Sequence, residues 1–225
     1  MLVSLTLVRY RTIFIPFAFL AMALHRIPLF FTKGCSFWKL LGCGKNGSFD
    51  LTPDLNQWGL LAVWRNEESY WRFKQHSVIS KWWRYFGVKE STVLLQPLSA
   101  HGKWSGKEPF GKPKNKTHQG QIAVLTRATI RFNRLKNFWK NVSPVAEIMR
   151  KHKGFISSVG IGEAPFFMQA TFSIWESTED MVQFAYKDEK HAEVIKRTRD
   201  EAWYAEELFA RFAVISISGE LFGSS

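Results

Sequence analysis

The chain has 225 residues, of which 46% are apolar and 16% aromatic, with 20 Phe and 10 Trp among them. That length suits one large domain or two small ones, and the apolar share excludes a disordered chain. Charge is uneven, since residues 1–120 carry 17 Lys and Arg against 6 Asp and Glu, whereas residues 121–225 carry 14 against 13. The basic first half favours an anionic partner, whether nucleic acid, acidic lipid headgroups, an acidic electron-transfer protein or ligand carboxylates, and charge alone does not choose among them. Nucleic acid is the weaker choice, because the basic stretch 103–116 matches no recognition module. Cys35 and Cys43 make neither a disulfide framework nor a metal-binding pair, which points to a reducing, cytoplasmic setting.

In chain order, a strand is expected at 2–10, followed by an apolar run, Ile13 to Phe31. Arg9 and Arg11 ahead of the run, with Ala21 and Ala23 inside it, imitate a signal peptide. The preceding strand argues against one. Pro16, His25, Arg26 and Pro28 also interrupt a transmembrane span, so 13–31 is expected to be a buried or membrane-surface helix, peripheral at the cytoplasmic membrane face. Strands then follow at Phe37–Gly44 and Trp58–Trp64, a helix at 67–86 and a strand at Ser91–Ser99.

The second half repeats that order: strand Ile122–Arg131, helix 132–151, strands Phe155–Gly162 and Phe167–Trp175, helices within 178–208, and strand Phe209–Ile217. Both halves read β-α-β-β-α-β. Several residues coincide when they are superposed. Gly42-Cys43-Gly44 matches Gly160-Ile161-Gly162, Trp64 matches Trp175, and His76 and Arg84 match His191 and Arg199. Ser177-Thr178-Glu179-Asp180 has the form of a helix N-cap. The fold class is therefore α+β, with one ferredoxin-like repeat at 1–101, a second at 121–225, and a basic Gly/Pro/Lys connector at 102–120. The strands are apolar on both parities, so the two sheets are expected to join as one barrel with both faces covered.

Signatures of phosphate binding, serine hydrolysis and zinc peptidases are missing from the sequence. His191 heads a helical stripe of His, Val, Ile, Thr and Ala at 191, 194, 195, 198 and 202, and Arg199 lies eight residues on. A lone imidazole above small apolar residues has two readings, a packed helix histidine or the single protein ligand that a haem iron needs. In the second case it would face a lipophilic cavity where the duplicated sheets meet. The stretch Ser99-Ala100-His101-Gly102-Lys103-Trp104-Ser105-Gly106 leaves a strand for the basic connector. Lys103 with Arg127 or Arg131 suits paired carboxylates such as haem propionates, Trp104 suits a ring edge, and Ser105 adds a hydroxyl. The alternative is a solvated loop anchored by its Trp.

Six stretches in order resemble the spheroidene monooxygenase family of carotenoid biosynthesis. They are Phe37 to Gly44, Ser99 to Gly106, Leu125 to Arg131, Gly160 to Pro165, Thr171 to Trp175, and His191-Ala192-Glu193 through Glu206 to Val214. His101 departs from the pattern, which has arginine there. The resemblance implies a dimeric α+β barrel and a haem b oxygenase that uses dioxygen, with electrons from a ferredoxin, to ketolate an acyclic carotenoid. It also implies that His191 is the proximal iron ligand. Rival expectations are a haem enzyme of this fold with a peroxidase or dehydratase reaction, and a haem-free barrel binding an apolar ligand.

Overall fold

The first strand shows why the chain folds as it does. In β1 (Leu2–Tyr10), Val3, Leu5 and Leu7 point to one side and Leu2, Val8 and Tyr10 to the other, and all six are buried. A strand that is apolar on both faces needs cover on both. The computed structural model, which describes residues 1–45, 52–113, 118–164, 166–187, 198 and 200–221, supplies it with a closed barrel inside a layer of helices.

After β1 come a 3-10 turn at Thr12–Phe14, α1 (Ile15–Leu24), α2 (Arg26–Phe31), β2 (Cys35–Gly44), β3 (Pro53–Trp64), α3 (Glu67–His76), α4 (Val78–Phe86) and β4 (Gly87–Gly102). The second repeat runs β5 (Ile122–Ile130), a 3-10 turn at Phe132–Arg134, α5 (Leu135–Lys151), β6 (Phe155–Ala164), β7 (Met168–Trp175), α6 (Thr178–Lys187) and β8 (Tyr204–Ser218). The barrel order is β1-β3-β2-β6-β7-β5-β8-β4, antiparallel throughout. Each repeat contributes four strands, and they meet along two seams between equivalent strands, as a two-fold relation requires. One seam is long, pairing β4 with β8 from Thr92↔Ser218 to Gly102↔Leu208. The other is short: β2 meets β6 only at Gly42↔Gly162 and Cys43↔Ile161, the same two glycine motifs that mark the repeat in sequence.

Side chains fill the barrel, among them Leu5, Leu41, Leu61, Phe172 and Phe212. Outside, α1 to α4 cover the first repeat over Leu60, Trp64, Ile79 and Trp83, and α5 and α6 cover the second over Val124, Trp175 and Phe184. Trp64 and Trp175 occupy equivalent places, each buried, with the indole N–H donating to Ser4 Oγ and Ser173 Oγ at 2.9 Å. Ser177 caps α6 as expected, its Oγ accepting from Asp180 N at 3.1 Å.

Several boundaries differ from expectation, β3 beginning at Pro53 instead of Trp58 and β4 running Gly87–Gly102 instead of Ser91–Ser99. The helix at 13–31 breaks at His25, and the helix at 67–86 breaks at Ser77, whose side chain caps α4 by accepting from Ser80 N. The last strand begins at Tyr204 instead of Phe209, because Tyr204–Leu208 pair with Ile130–Arg127 on β5. Tertiary pairing there overrides the helical preference of Ala and Glu.

His25 is 4% exposed, and its Nε2 has no partner among the described residues. Its neighbours Trp82 and Trp83 offer ring edges and no charge. Burial lowers its pKa to about 4, so the folded protein keeps it neutral while the unfolded chain protonates it near 6.5. Stability from this site is therefore complete above about pH 6.5 and is lost as pH falls toward about 4, by at most about 3 kcal/mol. The variant His25→Met is expected to flatten that part of the stability profile, measured as urea midpoint against pH.

Candidate functional site

At the end of the barrel where β1, β2, β7 and β8 begin and β3, β4, β5 and β6 finish, the inward parity of the strands changes from apolar to charged. On β2, Lys39 lies between the inward Phe37 and Leu41. On β5, Arg127 follows the inward Ala123 and Leu125. Glu163 follows Ile161 on β6, and Glu206 precedes Leu208 on β8. Two cations and two carboxylates thus face one another across the mouth.

The chain leaving β4 closes this mouth. Gly102, at φ +88°, brings the backbone against Glu207, where a Cβ would stand 2.2 Å from the carbonyl oxygen, so only glycine fits. Lys103 N then donates to Glu207 O at 2.8 Å. A tight turn follows, with Trp104 and Lys107 exchanging backbone hydrogen bonds, and it drives the Trp104 side chain into the core. Phe110 returns to the interior against Phe212, at 4.9 Å between ring centroids.

Trp104 is 1% exposed and contacts every charged group of the cluster except Glu206. Its Nε1 donates to Glu163 Oε1 at 2.5 Å, and its ring lies 5.8 Å from Lys39 Nζ and 5.6 Å from Arg127 Cζ. Both cation distances are within the range of attraction to an aromatic face. Lys39 Nζ donates to Glu163 Oε2 at 2.5 Å and to Ser105 Oγ at 2.6 Å. Arg127 is 3% exposed, donates to Glu206 and lies 3.8 Å from Glu163. The Glu206 carboxylate also accepts from Ser105 N at 2.9 Å and Gly106 N at 2.7 Å. Partial burial pushes the Glu206 pKa up, but the two backbone N–H groups and Arg127 outweigh it and hold the carboxyl below its ordinary value.

The cluster is saturated with opposite charge. Its hydrogen bonds hold Trp104 and Ser105 in place, while the buried Arg127 Nε has no hydrogen-bond partner among the described residues. Beside it, the connector and the end of β4 enclose a cleft of about 380 Å³ lined by Ser99, His101, Glu108, Phe110, Lys112 and Leu208. Among the described residues no group of His, Cys, Asp and Glu is arranged to hold a metal ion. Burial pushes the Cys35 thiol up to about 11 and the Cys43 thiol up to about 12, so neither is a thiolate at neutral pH.

Of the residues singled out in the sequence, Trp104, Ser105 and Arg127 come together. Lys103 is exposed and joins the site only through its backbone, and Arg131 lies exposed beyond β5, donating to Tyr204 O at 3.3 Å. His191 and Arg199 lie outside the described residues. The grouping expected for propionates does not form as drawn: Arg127 is matched by Glu206 and Glu163, and Trp104 turns into the barrel. Among the described residues, buried side chains of both sheets, including Leu5, Leu41, Phe172 and Phe212, pack where the sequence places a cavity between the sheets. Lys39, Glu163 and Glu206 were missed by the sequence reading. Their signal is a charged residue on the inward parity of a strand that is otherwise apolar.

One chain that closes two ferredoxin-like repeats into an eight-stranded antiparallel barrel defines the dimeric α+β barrel class. Two aldoxime dehydratase structures share it, one in complex with butyraldoxime, with TM-scores of 0.63 and 0.62 at 11% and 10% identity, covering 95% of this chain and 79% and 80% of theirs. At that identity the likeness concerns the fold alone. Residues 118–214, most of the second repeat, match the family described as a domain of unknown function, DUF3291. Over nearly its whole length the chain is also similar to curated proteins named spheroidene monooxygenase. Identity is 38% to that of Cereibacter sphaeroides, covering 88% of this chain and 62% of the relative, and 33% to that of Rhodobacter capsulatus, covering 98% and 92%. The chain belongs to the spheroidene monooxygenase family. It spans about three-fifths of the length of the Cereibacter relative.

Proposed function

We propose that this protein is a monooxygenase that oxidises an acyclic carotenoid to a ketone, using dioxygen and reducing equivalents. The observation that carries the proposal is the match to the Rhodobacter capsulatus relative, which extends over almost the full length of both chains. The substrate class sets the chemistry. An acyclic polyene end offers no acid and no leaving group, only C–H bonds, so oxygen must be inserted. Two insertions at one methylene give a hydrated ketone, which loses water.

The proposal includes haem b with His191 as its protein ligand, on the strength of the family resemblance. Haem supplies the activation of dioxygen that such a C–H bond demands. Arg199 is proposed as a second catalytic residue, and an acidic ferredoxin-type donor is proposed to dock on the basic first repeat.

Co-expression with a spheroidene or lycopene pathway tests the function. The expected result is ketolated pigment with the native chain and none with His191→Ala, which should also lose the Soret band of the purified protein. Soluble, haem-loaded protein that produces no new pigment would remove the substrate class. A Soret band that survives His191→Ala would remove the ligand.

A further inference from the structure

The helices between β1 and β2 present an apolar surface that none of the described residues covers. Ile13, Ile27, Phe30 and Phe31 are 76, 63, 77 and 73% exposed, and Leu20 and Leu24 are nearly half exposed. This far exceeds scattered surface hydrophobics, because all six fall within nineteen consecutive residues, on two adjoining helices and the 3-10 turn before them. The surface continues onto α4. Phe17 stacks on Phe86 at 4.6 Å, Trp82 lies 4.7 Å from the same ring, and Tyr85 beside it is 79% exposed. Aromatic rings with a polar tip suit the boundary between acyl chains and headgroups.

Charge identifies the occupant. The first 49 residues contain no Asp or Glu and six Lys or Arg. Three of these bracket the apolar surface: Arg11 just before it, Arg26 between α1 and α2, and Lys33 just after it. Arg26 Nε donates to Met22 O, so that side chain stays at the surface. Acidic groups on neighbouring strands are already matched, Asp54 by Arg9 and Glu90 by Lys74. A second copy of the chain fits poorly, because two-fold contact through this face would set cations against cations with no carboxylate between them.

The buried side of the helices decides how deep the contact goes. Ala18, Ala21, His25 and Leu29 are packed on the first repeat, which fixes α1 and α2 along the sheet. The stretch Thr12–Phe31 is long and apolar enough by composition to cross a bilayer. Crossing would pull these four side chains out of the core.

We propose that α1, α2 and the exposed edge of α4 form a membrane-docking face that lies in the headgroup region of an anionic leaflet without spanning it, the Phe and Ile side chains inserted and Arg11, Arg26 and Lys33 on lipid phosphates. The depth is about 5–10 Å, as for other interfacial helices. At Phe31 the face adjoins the start of β2, on the same barrel end as the Trp104 plug, since Phe37 lies 5.7 Å from the Trp104 ring. The proposal concerns binding alone and holds whatever reaction the protein performs.

Flotation of the full-length protein with vesicles tests it. Binding is expected to vesicles of phosphatidylcholine mixed with phosphatidylglycerol, and weaker binding to phosphatidylcholine alone. The double variant Ile27→Asp/Phe30→Asp should abolish binding and keep the native melting temperature, because both side chains are largely in solvent. The triple variant Arg11→Gln/Arg26→Gln/Lys33→Gln should bind mixed vesicles roughly fivefold more weakly per cation removed, and lose its preference for phosphatidylglycerol. Absence of native binding, or binding indifferent to both variants, overturns the proposal. So does a concentration-dependent dimer, seen by sedimentation without lipid, that Ile27→Asp/Phe30→Asp dissolves; the face would then belong to a second copy.

Discussion

Truncation of Trp104 to alanine is expected to destabilise the protein by about 3–5 kcal/mol, the range for removing a large buried aromatic. The side chain is 1% exposed and plugs the barrel against Phe37. Removing it empties the space beneath the connector, takes a donor from Glu163, and strips an aromatic face from Lys39 and Arg127. The contacting groups sit on three different strands, so no single shift can refill the gap. Trp104→Phe keeps most of the volume and loses the indole N–H, so its cost should be smaller, about 1–3 kcal/mol for the carboxylate oxygen left short of a partner. Urea denaturation of the two variants separates filling from hydrogen bonding. A loss under about 1 kcal/mol for Trp104→Ala would show that the connector is an ordinary surface loop.

The second large effect is expected at Arg127, where substitution by Met leaves Glu206 and Glu163 facing each other without their buried cation. Breaking a buried pair from one side costs about 3–5 kcal/mol, and the exposure of Glu206, at 25%, reduces this to about 2–4. Adding Glu206→Gln should restore part of the loss, since the amide is neutral and its single oxygen can still accept from one of the two backbone groups, Ser105 N or Gly106 N. The sign of the pH effect follows from the Glu206 carboxyl, which the fold holds below its ordinary value near 4.5. Such a group contributes its full stability above the unfolded value and loses it as pH falls through the lower folded value. The deficit of Arg127→Met should therefore be largest near neutral pH and shrink in acid. Urea midpoints at both conditions measure it, and a deficit constant with pH would mean that packing, and not charge, sets the cost.

The architecture was legible because its signals are periodic. The repeat order, the matching glycine motifs at 42–44 and 160–162 and the paired Trp64 and Trp175 all occupy equivalent places in the barrel. Helix breaks at His25 and Ser77 were less visible. Ser77 offered a capping side chain, but an apolar pattern ran through both sides of it. The start of β8 is hidden from local sequence because Tyr204 to Leu208 read as helix, and only β5 across the barrel decides otherwise. At the mouth, the connector pointed to Trp104, and Arg127 stood out as a cation on a strand. Glu163 and Glu206 are 43 residues apart in the chain, and their shared role depends on strand order, which no local window contains.

The two seams of the barrel differ enough to give it a mechanical bias. Ten residue pairs along β4 and β8 act as the spine of a book, whereas β2 and β6 meet like a fore-edge held at only two positions. Any widening of the cylinder costs least as a swing of one cover about that spine. The Lys39–Glu163 tie crosses the fore-edge and works as its clasp, and it is also the contact that steadies Trp104. Opening the book and drawing its plug are thus one motion.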